Sequence, residues 1–111
     1  MQRDIPERDW KVFKELRVIA LARLCDKILA EAKAEIDRPN KSSHERYLSL
    51  FELIQERDDD VARAFNDLGR STAFMQAGII HGMGLFTADE LQRFSPETIQ
   101  VIQIFAPSPG A

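Results

Sequence analysis

Helical periodicity is clearest in residues 10–29, WKVFKELRVIALARLCDKIL. Apolar side chains recur there at steps of three and four, the spacing that places them along one side of an α-helix. The main stripe consists of Trp10, Phe13, Leu16, Ala20, Leu24 and Ile28. A second apolar set lies beside it and consists of Val18, Leu21, Cys25 and Leu29. A stripe this broad predicts a long helix that packs against more than one neighbour.

The ends of this first helix are predicted from local signals. Asp4 is suited to be the N-cap, and Glu7 occupies the capping-box position three residues later. Pro6 falls in the first turn, where its missing N–H is not needed. At the other end, Pro39 disfavours helical geometry at the residue before it. We therefore expect the helix to end near Ile36.

A second helical region follows, and its length predicts a break. Residues 42–45, SSHE, form another capping box, and apolar residues continue beyond them at helix-seam spacing. An unbroken helix over residues 43–83 would be about 60 Å long, which is too long for a domain of this size. We expect the break at residues 57–61, RDDDV, where Asp58 would cap a new helix. One continuous, bent helix is the alternative.

Two short helices are predicted near the C-terminal end. Gly84 is suited to end the preceding helix. Thr87 and Glu90 form a capping box for the first short helix. Ser95, as a cap, followed by Pro96 begins the second short helix.

These elements define the predicted fold class. No segment shows the alternation of apolar and polar residues that is typical of a strand. The chain is therefore expected to be all-α, a bundle of four or five helices. Its long N-terminal helix packs antiparallel on helices 2 and 3, and two short C-terminal helices complete the bundle. Residues 1–106 are expected to form a single helical domain, and residues 107–111, PSPGA, a flexible C-terminal tail.

Composition and charge narrow the classes of function. The 111 residues are 44% hydrophobic and 30% charged, with a net charge of −3, as in ordinary globular proteins. This balance lacks the basic excess of nucleic-acid-binding proteins, and no apolar run is as long as a membrane span. The first ten residues lack the apolar core of a signal peptide, so the expected location is cytoplasmic. A single cysteine, Cys25, excludes an intrachain disulfide, and its apolar neighbours predict a buried thiol.

Glycines are concentrated in residues 77–86, AGIIHGMGLF, which are otherwise mostly apolar. No Lys-Ser or Lys-Thr pair follows them, which disfavours a phosphate-binding loop. Gly78 and Gly82 are four residues apart and would let another helix approach one side of their own helix. A ragged helix end is the alternative. The predicted interface with a partner consists of Ala73, Met75, Ala77, Gly78, Ile79 and Gly82.

Candidate metal ligands are sparse. Glu52, Glu56 and Asp59 would share one helix face, and carboxylates that meet a second acidic face can bind Mg²⁺. A solvated helix surface is the commoner meaning of such a pattern, so these three residues are weak candidates. The cysteine and the two histidines lie on separate segments without the spacing of a zinc site. His81 is expected to cap a helix end or to be half-buried. No cofactor is predicted.

The favoured functional hypothesis is a non-enzymatic interaction or assembly module that forms a homodimer or binds another helical protein. This hypothesis rests on two features: the two adjacent apolar stripes of the first helix, and residues 71–86, which carry almost no charge. Apolar surface that a small domain cannot bury itself is often buried against a partner. The alternative is a small helical metal-dependent hydrolase or ligand-binding protein that uses the three carboxylates. A transcriptional accessory is the third hypothesis. The last helix, PETIQVIQIF, has no Lys or Arg for phosphate, which disfavours nucleic acid as a partner. A membrane is not expected as a partner.

Overall fold

The computed structural model describes residues 4–106, and every regular element in this range is an α-helix. In chain order the helices are α1 (Glu7–Ile36), α2 (Ser43–Phe65), α3 (Ala73–Gly82), α4 (Ala88–Leu91) and α5 (Pro96–Phe105). The all-α class, the number of helices and the two short C-terminal helices are therefore confirmed. The tail predicted at residues 107–111 lies outside the described residues.

Helices α1 and α2 form an antiparallel hairpin. At its closed end, Arg46 Nη1 donates a hydrogen bond to the carbonyl oxygen of Ile36 at 2.7 Å. At its open end, the Arg17 guanidinium donates to the carbonyl oxygen of Phe65. Contacts that move forward along α1 therefore move backward along α2, which confirms the predicted antiparallel packing of the first helix on the second.

The chain stays helical through residues 57–61, so the break predicted at Asp58 is wrong. Asp60 forms ion pairs with Arg57 and with Arg63, three residues away on either side, at 3.3 Å each. Such pairs on one helix face stabilise the helix across the acidic run. Because part of the negative charge is balanced within α2, the run does not require a new helix N-terminus.

The break occurs instead at residues 66–72, NDLGRST. Asp67 has a φ of 58°, a left-handed conformation that a continuing helix does not contain. The Thr72 hydroxyl donates to the carbonyl oxygen of Asp67 at 3.0 Å and holds the turn closed. These polar residues, which interrupt an apolar region of the sequence, therefore serve to end α2 and begin α3.

Helix α1 begins at Glu7 with Pro6 as its N-cap, so the capping box predicted for Asp4 and Glu7 is not formed. Glu7 Oε1 pairs instead with Arg70 Nη1 at 2.7 Å. Arg70 Nη2 also donates to the carbonyl oxygen of Ile5 at 3.1 Å, which fixes the chain before the helix. The capping boxes predicted at the starts of α2 and α4 are both present.

The hydrophobic core lies where α3, α4 and α5 pack with the N-terminal half of α1, a region that we call the head. The main stripe predicted for α1 is confirmed as core, with the buried side chains Phe13, Leu16, Ala20 and Leu24. Opposite them the later helices and loops bury Ala77, Ile80, Leu85, Phe94 and Ile102. The first helix is therefore shared between the head and the hairpin.

The rest of the hairpin projects from the head, and we call residues 25–60 the arm. Ala32 is the one buried residue of the arm. The molecule measures 54 × 27 × 25 Å. Its radius of gyration of 16.6 Å exceeds the value of about 13 Å for a compact domain of 100 residues. A single layer of two helices cannot bury apolar side chains on its outer faces, so the arm must leave them exposed.

Candidate interaction surface

The close helix crossing predicted at Gly78 is confirmed, and the other helix is α5 of the same chain. A Cβ atom on Gly78 would lie 2.9 Å from the carbonyl carbon of Phe105 and 3.0 Å from the carbonyl oxygen of Ile102. Both are backbone atoms of α5, so a side chain would have to push the helix away. Gly78 therefore sets the distance between α3 and α5 inside the head.

The other residues of the predicted interface are divided between the core and the surface. Ala73 and Ala77 are fully buried, and Ile79 is partly buried. Met75 is 47% exposed, and Gly82 is also exposed. The chain itself therefore covers the small-residue side of α3, and a partner would have to occupy a different surface.

Helix α3 ends in the manner predicted for Gly84. This residue has a φ of 75°, and its N–H donates to the carbonyl oxygen of His81 at 2.9 Å. The N–H of Leu85 donates to the carbonyl oxygen of Ile80 at 3.2 Å, which completes a Schellman motif. His81 is half-buried, and its Nδ1 has no hydrogen-bond partner among residues 4–106. The glycine-rich stretch thus packs and terminates α3.

The carboxylates considered as metal ligands, Glu52, Glu56 and Asp59, are all exposed. On the neighbouring helix, Glu31 accepts two hydrogen bonds from Arg57, at 2.9 and 3.0 Å. These bonds hold the pKa of Glu31 below its ordinary value. In the part of the chain that the structure describes, no three His, Cys, Asp or Glu side chains are grouped so that they could bind a metal ion. Glu52, Glu56 and Asp59 therefore do not support the alternative of a metal-dependent hydrolase or ligand-binding protein.

The second apolar set of α1 lies largely on the surface, and the predicted burial of Cys25 is wrong. Cys25 is exposed, and so are Val18 (67%) and Leu29 (65%). Because α2 and the head cover other sides of α1, this side of the helix remains open. Ala22 and Ile36 on the same side of α1 are also exposed. The steps between successive members of this exposed stripe are four, three, four and seven residues, the spacing of a helix-packing seam: Val18, Ala22, Cys25, Leu29 and Ile36.

Helix α2 carries a matching exposed stripe. Tyr47 is 63% exposed, Phe51 53% and Ile54 44%, and they are separated by steps of four and three. Leu48, which is 43% exposed, lies at the edge of the stripe. Apolar residues this large rarely remain together on the surface of a small protein unless a partner covers them.

The two stripes lie on the same side of the hairpin. Ile28 of α1 and Leu50 of α2 are partly buried between the two helices, and the next residue in each helix, Leu29 or Phe51, belongs to the exposed stripe. One residue corresponds to a rotation of about 100° around the helix axis. Because the helices run in opposite directions, the same rotation brings both stripes to one side. A shallow groove of about 290 Å³ independently joins them, since its lining includes residues of both helices: Ile36, Ser43, Arg46, Tyr47 and Leu50.

We call this surface the arm face and define it by Cys25, Leu29, Ile36, Tyr47, Leu48, Phe51 and Ile54. The other side of the arm is polar. There Glu31 pairs with Arg57, and exposed Glu52 and Glu56 lie nearby along α2. The arm therefore has one side suited to water and one side suited to burial.

A bidentate ion pair anchors α1 to the head at the base of the arm. Arg23 Nη1 and Nη2 lie 2.5 and 2.9 Å from the two carboxylate oxygens of Glu90. Arg23 Nη1 also donates to the carbonyl oxygen of Leu85 at 2.9 Å. The hydrogen bonds from Arg23, with a smaller contribution from the Thr87 backbone, lower the pKa of Glu90 to about 2. The arm face is thus presented on a helix that is fixed at its base.

A buried carboxylate, Asp9, ties α1 to α5, and the sequence analysis did not single it out. Its oxygens accept bonds from the Ser95 N–H at 2.8 Å, the Ser95 hydroxyl at 2.7 Å and the Thr98 hydroxyl at 2.6 Å. Ser95 begins α5 as predicted, but its hydroxyl binds Asp9 and does not cap its own helix. Burial alone would raise the pKa of Asp9, and the bonds from Thr98 and Ser95 outweigh it, so this pKa lies below its ordinary value.

Comparison with known proteins adds no relative to this description. No family model, curated protein or solved structure matches the chain. Among the helices of residues 4–106, none has the length and hydropathy needed to cross a membrane.

Proposed function

We propose that this protein is an assembly module in which the arm face binds the arm face of a second copy to form a homodimer. The proposal rests on six large apolar side chains that share one side of a two-helix arm. Each of them is between 43% and 65% exposed: Leu29, Ile36, Tyr47, Leu48, Phe51 and Ile54. The proposed interface therefore lies on the arm and not on α3, where Ala73, Ala77 and Gly78 are covered within the chain.

The size of the arm face agrees with a dimer interface. Aromatic side chains bury about 150–250 Å² each, and Leu and Ile come near the lower end of that range, so six side chains that are roughly half exposed offer about 550 Å² per chain. Two copies would bury about 1,100 Å² from these side chains alone, which reaches the lower limit of about 1,000 Å² for a specific interface. Neighbouring side chains at the rim would add to this area.

A second copy is the occupant that the shape of the arm favours. Two two-helix layers stacked through their apolar sides form a four-helix bundle, which buries all four stripes at once. The steps of three and four residues in both stripes are those of knobs-into-holes packing. A two-fold interface uses the same patch on both copies, so an arm with one apolar side needs no other partner.

The proposed role is binding and not catalysis. The arm face presents Leu, Ile, Tyr and Phe side chains, which contribute to affinity by being buried. The carboxylates that would serve the metal-dependent alternative lie on the other side of the arm. No observation on the described residues favours that alternative over the dimer.

Light scattering on the size-fractionated protein tests the proposal with two matched substitutions. Phe51→Lys places a charge at the centre of the arm face. Ile104→Lys places the same charge on an apolar residue of α5 that is 77% exposed and lies outside the arm face. We expect the wild type and Ile104→Lys to have twice the chain mass of 12.7 kDa. We expect Phe51→Lys to be monomeric, because a lysine ammonium cannot be buried in an apolar seam without a partner.

Helix content measured by circular dichroism should be equal in the three proteins, since both changes are at exposed helical positions. A wild type that is monomeric at high micromolar concentration would contradict the proposal. Equal masses for the two variants would also contradict it, because the arm face would then have no special role.

A further inference from the structure

We infer that the two arms pair antiparallel, with the two-fold axis beside Phe51 of α2; this inference rests on the homodimer proposed above. Phe51 lies near the middle of the arm face along α2, and a two-fold interface repeats the same contacts on either side of its axis. In this arrangement α2 packs on the partner's α2, and the tip of each arm lies over the base of the other.

The distribution of charge along the arm favours this orientation. Residues 38–46, around the tip, carry three basic and one acidic side chain, a net charge of +2. Residues 56–64, which an axis at Phe51 places opposite the partner's tip, carry two basic and four acidic side chains, a net charge of −2, and of the four acidic ones Glu56 lies on the polar side of the arm. The dipole of α2 acts on its first and last turns, which carry Glu45 and Arg63 as the dipole favours, so it does not explain the acidic run between them.

Antiparallel pairing places each basic tip over the acidic segment of the other copy. Parallel pairing would place the two tips side by side, and likewise the two acidic segments. Like charges brought together across an interface oppose association, whereas complementary charges fix its register. The antiparallel orientation is therefore the one that the charges of the arm support.

The position of the axis follows from the spacing of residues around Phe51. His44 and Asp58 are each seven residues from Phe51, in opposite directions, and both are exposed. Seven residues are about two helical turns, so both lie on the same side of α2 as Phe51 and about 10 Å from it. An axis at Phe51 places His44 of one copy opposite the partner's Asp58, twice in the dimer.

Apolar residues closer to the axis obey the same symmetry. Leu48 and Ile54 are each three residues from Phe51, in opposite directions, and are 43% and 44% exposed. The axis therefore places Leu48 opposite the partner's Ile54 on both sides of Phe51. Apolar residues meet near the centre of the interface and polar residues meet toward its rim, as in known interfaces.

Exchanging the charges of the rim pair tests the inference. His44→Asp and Asp58→Lys are made as separate variants of the full chain, and their dimerisation constants are measured by analytical ultracentrifugation. Each variant alone should dimerise about tenfold more weakly than the wild type, because two symmetry-related contacts are lost together. An equimolar mixture should recover wild-type affinity. In the mixed dimer the introduced carboxylate meets the introduced ammonium at one end, and the original contact between His44 and Asp58 remains at the other.

The matched control is a mixture of His44→Asp with Glu52→Lys, a change on the polar side of the arm. Its mixed dimer keeps one repulsive contact, between the introduced carboxylate and Asp58, and should therefore stay weaker than the wild-type dimer. If the first mixture is no tighter than its components while Phe51→Lys still abolishes the dimer, the antiparallel axis is wrong and the proposed function stands. If the wild type is monomeric, both fail. Recovery in the first mixture alone supports the inference, because in a parallel dimer residues 44 and 58 do not meet.

Discussion

Replacing Gly78 with alanine should destabilise the protein, although alanine is the better helix former. In a solvent-exposed helix the same change stabilises by about 1 kcal/mol. Here the new methyl group would lie 2.9 Å from the carbonyl carbon of Phe105 and 3.0 Å from the carbonyl oxygen of Ile102, whereas ordinary contacts begin at 3.4 Å.

The new methyl group would also overlap the Cβ atom of Phe105, which is fixed to the α5 backbone. Helix α5 must therefore move by more than about 0.5 Å, and such overpacking of a core costs about 1–3 kcal/mol. After the gain of about 1 kcal/mol in helix propensity, the net loss in the free energy of unfolding ranges from about 0 to about 2 kcal/mol, and the overlap with the Phe105 Cβ atom places Gly78→Ala at the upper end of that range. The sign of the effect is decided by the contact with α5, because the two terms oppose each other.

Urea unfolding followed by circular dichroism measures this loss, with Gly82→Ala as the control. Gly82 is in the same helix but exposed, so its replacement should be neutral or stabilising by up to about 1 kcal/mol. Both variants must be compared at one protein concentration, since dimerisation would stabilise the fold by mass action. Equal stability of Gly78→Ala and Gly82→Ala would show that α5 does not limit the side chain at position 78.

Two further predictions concern the polar contacts that tie α1 to the later helices. Asp9→Ala removes the acceptor of three hydrogen bonds, one buried and two partly buried, and should lower the free energy of unfolding by about 3–5 kcal/mol, and Asp9→Asn should lower it less. Equal losses in urea unfolding would show that the side-chain oxygens of Asp9 do not hold α5. The pKa of Glu90 is lowered from 4.5 to about 2 by Arg23. Its contribution to stability is therefore complete above about pH 4.5 and is lost as the pH falls towards 2. Arg23→Gln should make this decrease shallower in acid unfolding curves, and an unchanged slope would contradict the assignment.

Features that depend on near neighbours in the chain could be predicted from the sequence. The capping boxes of Ser42 with Glu45 and of Thr87 with Glu90 need partners only three residues apart. The stop at Gly84 depends on the conformation of one residue. Asp9 was missed because Ser95 and Thr98 are 86 and 89 positions away, and nothing near Asp9 indicates them.

Apolar spacing alone does not say what covers a helix face. The stripe that contains Phe13 and the one that contains Leu29 have the same three-and-four pattern, yet the first is core and the second is exposed. Cys25 was predicted to be buried for this reason. The close approach at Gly78 could be predicted, but its partner could not, because the sequence does not show whether α5 or a second chain supplies the helix. The break after α2 was misplaced because Asp58 is a good local cap, whereas Asp60 is balanced by Arg57 and Arg63.

Sedimentation equilibrium of the full chain over a range of concentrations tests most directly whether the arm face is buried by a second copy. If a second copy buries the arm face, the mass approaches twice the 12.7 kDa of one chain as concentration rises into the micromolar range. A mass that stays at 12.7 kDa up to several hundred micromolar would contradict it.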